Sequence, residues 1–141
     1  LRGPRKNLKT GFLVDEYSVA WALRYLREAK ADLVEAEKAS TSSISVNLSV
    51  LSMRKSQAAV YFCLGDPAYL DTTVRFKLEM EEKTSDALMN CLMQIERTIQ
   101  RSAEHIDIYE RVRALTEAKH VNEVAQELVG LIAGTEVQKN T

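Results

Sequence analysis

The stretch Ala22–Ala39, "ALRYLREAKADLVEAEKA", decides the fold class. It holds neither Gly nor Pro and is built of Ala, Leu, Glu and Lys, the strong helix formers. Val19, Leu26 and Leu33 recur every seven residues, and so do Ala22, Ala29 and Ala36. The two sets lie three apart, which puts them on one helical face. Large and small side chains therefore alternate along a packing seam of Val19, Ala22, Leu26, Ala29, Leu33 and Ala36. A methyl at every second layer lets a partner helix come closer than the usual spacing of roughly 8–10 Å, or makes room for its bulky side chains. Trp21, Tyr25, Met53, Tyr61 and Phe62 are candidates to fill that room.

Working outward, this helix is predicted from Asp15 to Ala39, with Asp15 and Glu16 at the positive end of its dipole. It stops in "STSS", Ser40–Ser43, whose hydroxyls compete for backbone hydrogen bonds and can cap the next helix. That second helix is predicted over Ser43–Leu64, closed by Gly65. Asp66–Pro67 then restarts the chain with a capping carboxylate and a proline at the first helical position.

From Ala68 to Val129 there are sixty-two residues without Gly or Pro, so helix dominates. One unbroken helix from Pro67 to Lys119 would be about 80 Å long, twice the roughly 38 Å of the first. A turn is therefore placed in "KTSD", Lys83–Asp86, with Thr84 or Ser85 as cap, and "SAEHID", Ser102–Asp107, competes for it. A second break is expected at "KHVN", Lys119–Asn122, where Asn122 caps a short last helix ending at Gly134. The only strand-like alternation, Ile44, Val46, Leu48 and Val50, runs into a helical pattern. The expected fold is all-α: an antiparallel up-and-down bundle of four main helices plus a short C-terminal one. Residues 1–14 form a basic N-terminal arm, 15–134 the single bundle domain and 135–141 a loose tail.

The chain has 141 residues, 45% of them apolar and 28% charged, the balance of a soluble domain able to bury a core. The longest apolar run, Ala58–Leu64, is too short to cross a bilayer, and the first residues carry no signal-peptide pattern. Cys63 and Cys91, set among apolar neighbours, read as reduced thiols, so a cytoplasmic location is expected. The net charge of −1 is uneven: Arg2, Arg5, Lys6 and Lys9 lie in the first ten residues, leaving −5 for the remainder. The arm reads as a charged terminus, with phosphate contact the alternative.

Beyond helices, "LREAKADLVEAEKA" followed by "RKSQAAVYFCL" resembles the first helical hairpin of the HEPN superfamily, a group of nucleotide-binding helical domains. The matching residues are Leu26, Ala29, Asp32, Leu33 and Ala36, then Gln57, Ala58 and Ala59. They cover about a third of the chain, and Val60 and Tyr61 stand where the family usually has Glu-Lys. The resemblance implies either a catalytically silent interaction or oligomerisation module, or a metal-independent ribonuclease cutting RNA from a dimer interface.

For that second activity the family pairs an Arg with a His after four to six residues. Here Arg101 and His105 are separated by three and Arg97 and His105 by seven, so both spacings miss. The three still fall on one helical stripe, where a guanidinium suits a phosphate and an imidazole titrates near neutrality. Glu117 and His120 have the Glu-x-x-His spacing of dimetal bundles, but Ser102 stands where His105 would need its own glutamate. No metal or other cofactor is expected. Glu28, Asp32 and Glu35 form an acidic strip on the first helix, read as hydrated surface. Met53, Met80, Met89 and Met93 read as core filler, and no stacking platform for single strands is expected from 6% aromatics.

The leading expectation is a non-catalytic HEPN-like module that forms a homodimer. Its third long helix, about 35 residues, would overhang a neighbour of about 25 residues and leave apolar surface to bury. The alternatives are the ribonuclease of Arg101 and His105, for which RNA or a nucleotide would be the ligand, and a structural bundle outside the HEPN group that binds a protein partner's helix in a groove.

Overall fold

The computed structural model describes residues 5–7, 13–104 and 110–134. A short antiparallel ladder, β1 (Arg5–Asn7) and β2 (Leu13–Asp15), leads into five helices: α1 (Glu16–Lys38), α2 (Ser42–Leu64), α3 (Pro67–Glu79), α4 (Ala87–Glu104) and α5 (Arg111–Ala133). Among the described residues no helix is long and apolar enough to cross a membrane.

The local signals act where the sequence has them. Asp15 accepts from the Tyr17 amide, Thr41 from Ile44, and Asp66 from Ala68 and Tyr69 ahead of Pro67. The turn after α3 falls at 80–86, but its cap is Asp86, which accepts from the Leu88 and Met89 amides. Thr84 instead braces the loop by accepting from the Asp86 amide, and Ser85 makes no cap. A carboxylate is the stronger acceptor for the two free amides of a first turn, and the register gives Asp86 the place.

Two expectations about the C-terminal half are corrected. The helix of about 35 residues divides: α4 ends at Glu104 and α5 begins at Arg111, so the overhang does not exist. The seven-residue rhythm survives because each helix turns its own apolar face to the same interior, which mimics continuity. Nor is there a break at Lys119–Asn122. Asn122 lies buried inside α5, its amide donating to the Ala118 carbonyl, so the last helix is 23 residues long rather than short. Gly134 ends it in the left-handed conformation (φ 67°) that glycine adopts at low cost. The hairpin within the basic arm is a further difference, for three-residue strands are too short to show a period.

α1 and α2 run antiparallel in a fixed register. Ser45 Oγ donates to the Ala36 carbonyl at 2.7 Å and Ser52 Oγ to the Ala29 carbonyl at 2.6 Å. The same register sets Ala22 beside Ala59, and both belong to one core cluster. Ala22, Ala29 and Ala36 are wholly buried, as are Ser45, Ser49, Ser52 and Ser56. α2 also packs on α5 and α4, and α3 lies against α4 and α2. Asn122 of α5 donates to Ser52 Oγ at 3.1 Å, so one chain of hydrogen bonds threads α5, α2 and α1. Arg111 donates to the Glu37 and Ala39 carbonyls, closing the end of α1 from the start of α5.

Candidate interaction surface

Arg97 and Arg101 stand one turn apart on the exposed side of α4, and neither makes a hydrogen bond or ion pair among the described residues. His105 lies outside the described residues. The structure therefore brings the two arginines together and places no described general base beside them. Glu117 is engaged by Ser102 Oγ at 2.8 Å and by Arg113, while His120 is exposed.

Sequence reasoning missed a charged hub one position from Arg97. Glu96 of α4 is fully buried. Its Oε1 accepts from Arg54 and from Gln57 of α2, both at 2.7 Å, and its Oε2 from Gln100 at 2.8 Å. The Nε of Arg75, from α3, lies 3.9 Å from Oε2. Burial alone would raise the carboxyl pKa, but the hydrogen bonds from Arg54, Gln57 and Gln100, with the Arg54 charge, outweigh it and hold Glu96 below the ordinary carboxylate value. Burial, then the nearby Glu96 charge, raises the Tyr61 phenol well above its ordinary value. The hub joins three helices and saturates its carboxylate, so it is built to hold and not to react. Cys63 is likewise inert: burial pushes its thiol up to about 12.

The surface has a different character on α2. The side of this helix turned to α1 carries Ser45, Ser49, Ser52 and Ser56. Its outward side carries Ile44, Leu48, Leu51, Ala58 and Phe62, with Ile44 49% and Leu51 43% exposed and the others half-buried. The buried part of α2 is shared between these serines and the apolar Val46, Met53, Ala59 and Val60. Ser45 and Ser52 tolerate burial because their hydroxyls donate to carbonyls of α1, and Ser49 because it donates to the Ser45 carbonyl one turn back, whereas Ser56 Oγ has no hydrogen-bond partner among the described residues. The signal was present as Ser at 45, 49, 52 and 56, a 4-3-4 spacing, but serine reads first as a cap or loop residue.

Beside that outward stripe lies the acidic strip of α1. Lys55 reaches across to Asp32 at 2.8 Å and Glu28 at 3.4 Å, and Arg24 pairs with Glu28 at 3.1 Å. The Asp32 hydrogen bond raises the Lys55 pKa against a smaller effect of burial, while hydrogen bonds from Arg24 and Lys55 lower that of Glu28. At the far end Trp21 and Tyr25 stack on Phe62, with ring centroids 6.2 and 5.5 Å away, and the Arg24 guanidinium lies 5.1 Å from the Trp21 ring. Together α1 and α2 make one continuous face: aromatic at one end, internally neutralised in the middle, aliphatic at the other.

Compared with protein-family models, with curated proteins and with solved structures, the chain matches none.

Proposed function

We propose that this chain is a non-catalytic helical interaction module that forms a homodimer, akin to the catalytically silent domains of the HEPN superfamily, with its helices in an antiparallel up-and-down bundle. The observation that carries the reading is the exposure of Ile44 and Leu51 on the outward side of α2, while Ser45, Ser49, Ser52 and Ser56 of the same helix are buried. Exposed apolar side chains grouped on one side of a helix suit a surface that a partner covers. The HEPN resemblance draws support from the hairpin itself: Leu26, Ala29, Ala36, Gln57 and Ala59 are buried, and Asp32 pairs with Lys55. The unbonded Cys63 and Cys91 fit a reducing, cytoplasmic setting.

Light scattering across a range of concentrations tests the reading, with a mass of twice 15.9 kDa expected. Incubation of the metal-free protein with single-stranded RNA is expected to leave the RNA intact. Cleavage that vanishes in His105→Ala and Arg101→Ala would replace the module by the ribonuclease.

A further inference from the structure

We propose that the cavity between the α3–α4 turn and α4 binds a small acidic amino acid, a molecule with two carboxylates and one ammonium group. The site lies wholly within one copy of the chain and needs no second copy.

One wall of the cavity is a short, firmly tied loop. The Glu81 and Glu82 amides donate to the Leu78 and Lys77 carbonyls, and Lys77 Nζ reaches Glu82 at 3.5 Å. Asn90 Nδ2 of α4 donates to the Thr84 carbonyl at 2.9 Å. These bonds hold the wall in place before any ligand arrives, which removes an ordering cost from binding. The space between this wall and α4 is about 500 Å³, and the buried Met93 lines it. Small-molecule sites occupy roughly 300–1,000 Å³, so an amino acid and bridging water fit.

Unspent charge selects the ligand. Glu81, Lys83 and Arg97 all line the cavity, and none of their side chains makes a hydrogen bond or ion pair among the described residues. Opposite charges thus share one space without closing on each other. Glu82, also in the lining, is already taken by Lys77, which leaves two cations and one anion to be met. A ligand with two carboxylates and one ammonium is the charge image of that set. Its carboxylates pair with Lys83 and with the forked guanidinium of Arg97, and its ammonium with Glu81. A simple anion would satisfy the cations but be repelled by Glu81. Glu81 also holds a left-handed backbone, φ 54°, so its carboxylate stands at this cavity at a conformational cost that glycine would not bear. Strain of this kind collects at ligand-holding positions.

The test is a nitrogen–proton correlation NMR titration of the full chain at constant ionic strength. The probes are L-glutamate, glutarate, which lacks the ammonium, and γ-aminobutyrate, which lacks one carboxylate. L-Glutamate is expected to move the amide signals of residues 81–84 and of the Asn90 side chain saturably. Glutarate and γ-aminobutyrate should bind about threefold or more weakly, the scale of one exposed ion pair. Glu81→Gln and, separately, Arg97→Gln should weaken L-glutamate by the same factor, whereas Arg101→Gln, one turn beyond the cavity, leaves it unchanged. The side chains altered are exposed, and the spectrum itself shows that each variant is folded. The absence of a saturable shift at residues 81–84 overturns the site, and glutarate binding as tightly as L-glutamate overturns the assigned ligand.

Discussion

Glu81 stands where glycine would serve better. The end of α3 is closed by two hydrogen bonds, from the Glu81 amide to the Leu78 carbonyl and from the Glu82 amide to the Lys77 carbonyl, the paired pattern of a Schellman ending. This requires a left-handed residue, and Glu81 adopts φ 54° despite its Cβ. Glu81→Gly should therefore stabilise the fold by roughly 1 kcal/mol, seen as a higher urea midpoint. Glu96 argues the opposite way, for a residue that nothing else can replace. Glu96→Ala strips the partner from Arg54, Gln57 and Gln100 at once and should cost about 3 kcal/mol, the lower end for a broken buried pair, because Arg54 can turn toward water. Its folded pKa lies below the reference value of 4.5, so its contribution is complete above that pH and is lost as the pH falls through the folded value. Urea midpoints measured below pH 4.5 should fall steeply in the wild type and less steeply in Glu96→Gln.

At the scale of elements, the α1–α2 hairpin is stabilised by smallness. With Ala29 fully buried against α2, Ala29→Leu should overpack the seam and destabilise by roughly 1–3 kcal/mol; an unchanged melting midpoint would refute the tight contact. Ser52→Ala leaves Asn122 without one acceptor and should cost about 1–2 kcal/mol. Half of this hairpin was legible from the residues alone. The alanines of α1 announce themselves by heptad spacing inside an unbroken helical pattern, and Asp66–Pro67 and Gly134 mark ends because their covalent chemistry acts locally. Ser45 and Ser52, which face those alanines, did not, for the carbonyls that accept from their hydroxyls are supplied by another helix. The Glu96 hub was hidden for the same reason: Arg54 and Gln57 lie about forty residues away and meet it only through packing. The break between α4 and α5 showed only as the rival "SAEHID" turn, since two short helices and one long helix share a rhythm.

For the whole molecule, α2 is the central post, touching α1, α5, α4 and α3, whereas α3 has only Val74 fully buried. Stability is therefore graded. Hydrogen exchange should show the α3 amides opening locally, far faster than those in the middle of α2, which exchange only with global unfolding. Equal protection along both helices would show that α3 is held as firmly as the rest.

Arg111 grips the carbonyls of Glu37 and Ala39 from more than seventy residues downstream. During synthesis, then, α1 leaves the ribosome before the Arg111 contacts to its last turn exist, and it lacks them until α5 has been made. Nascent chains halted just short of that arginine should fray at the last turn of α1, and those extended past it should hold that turn.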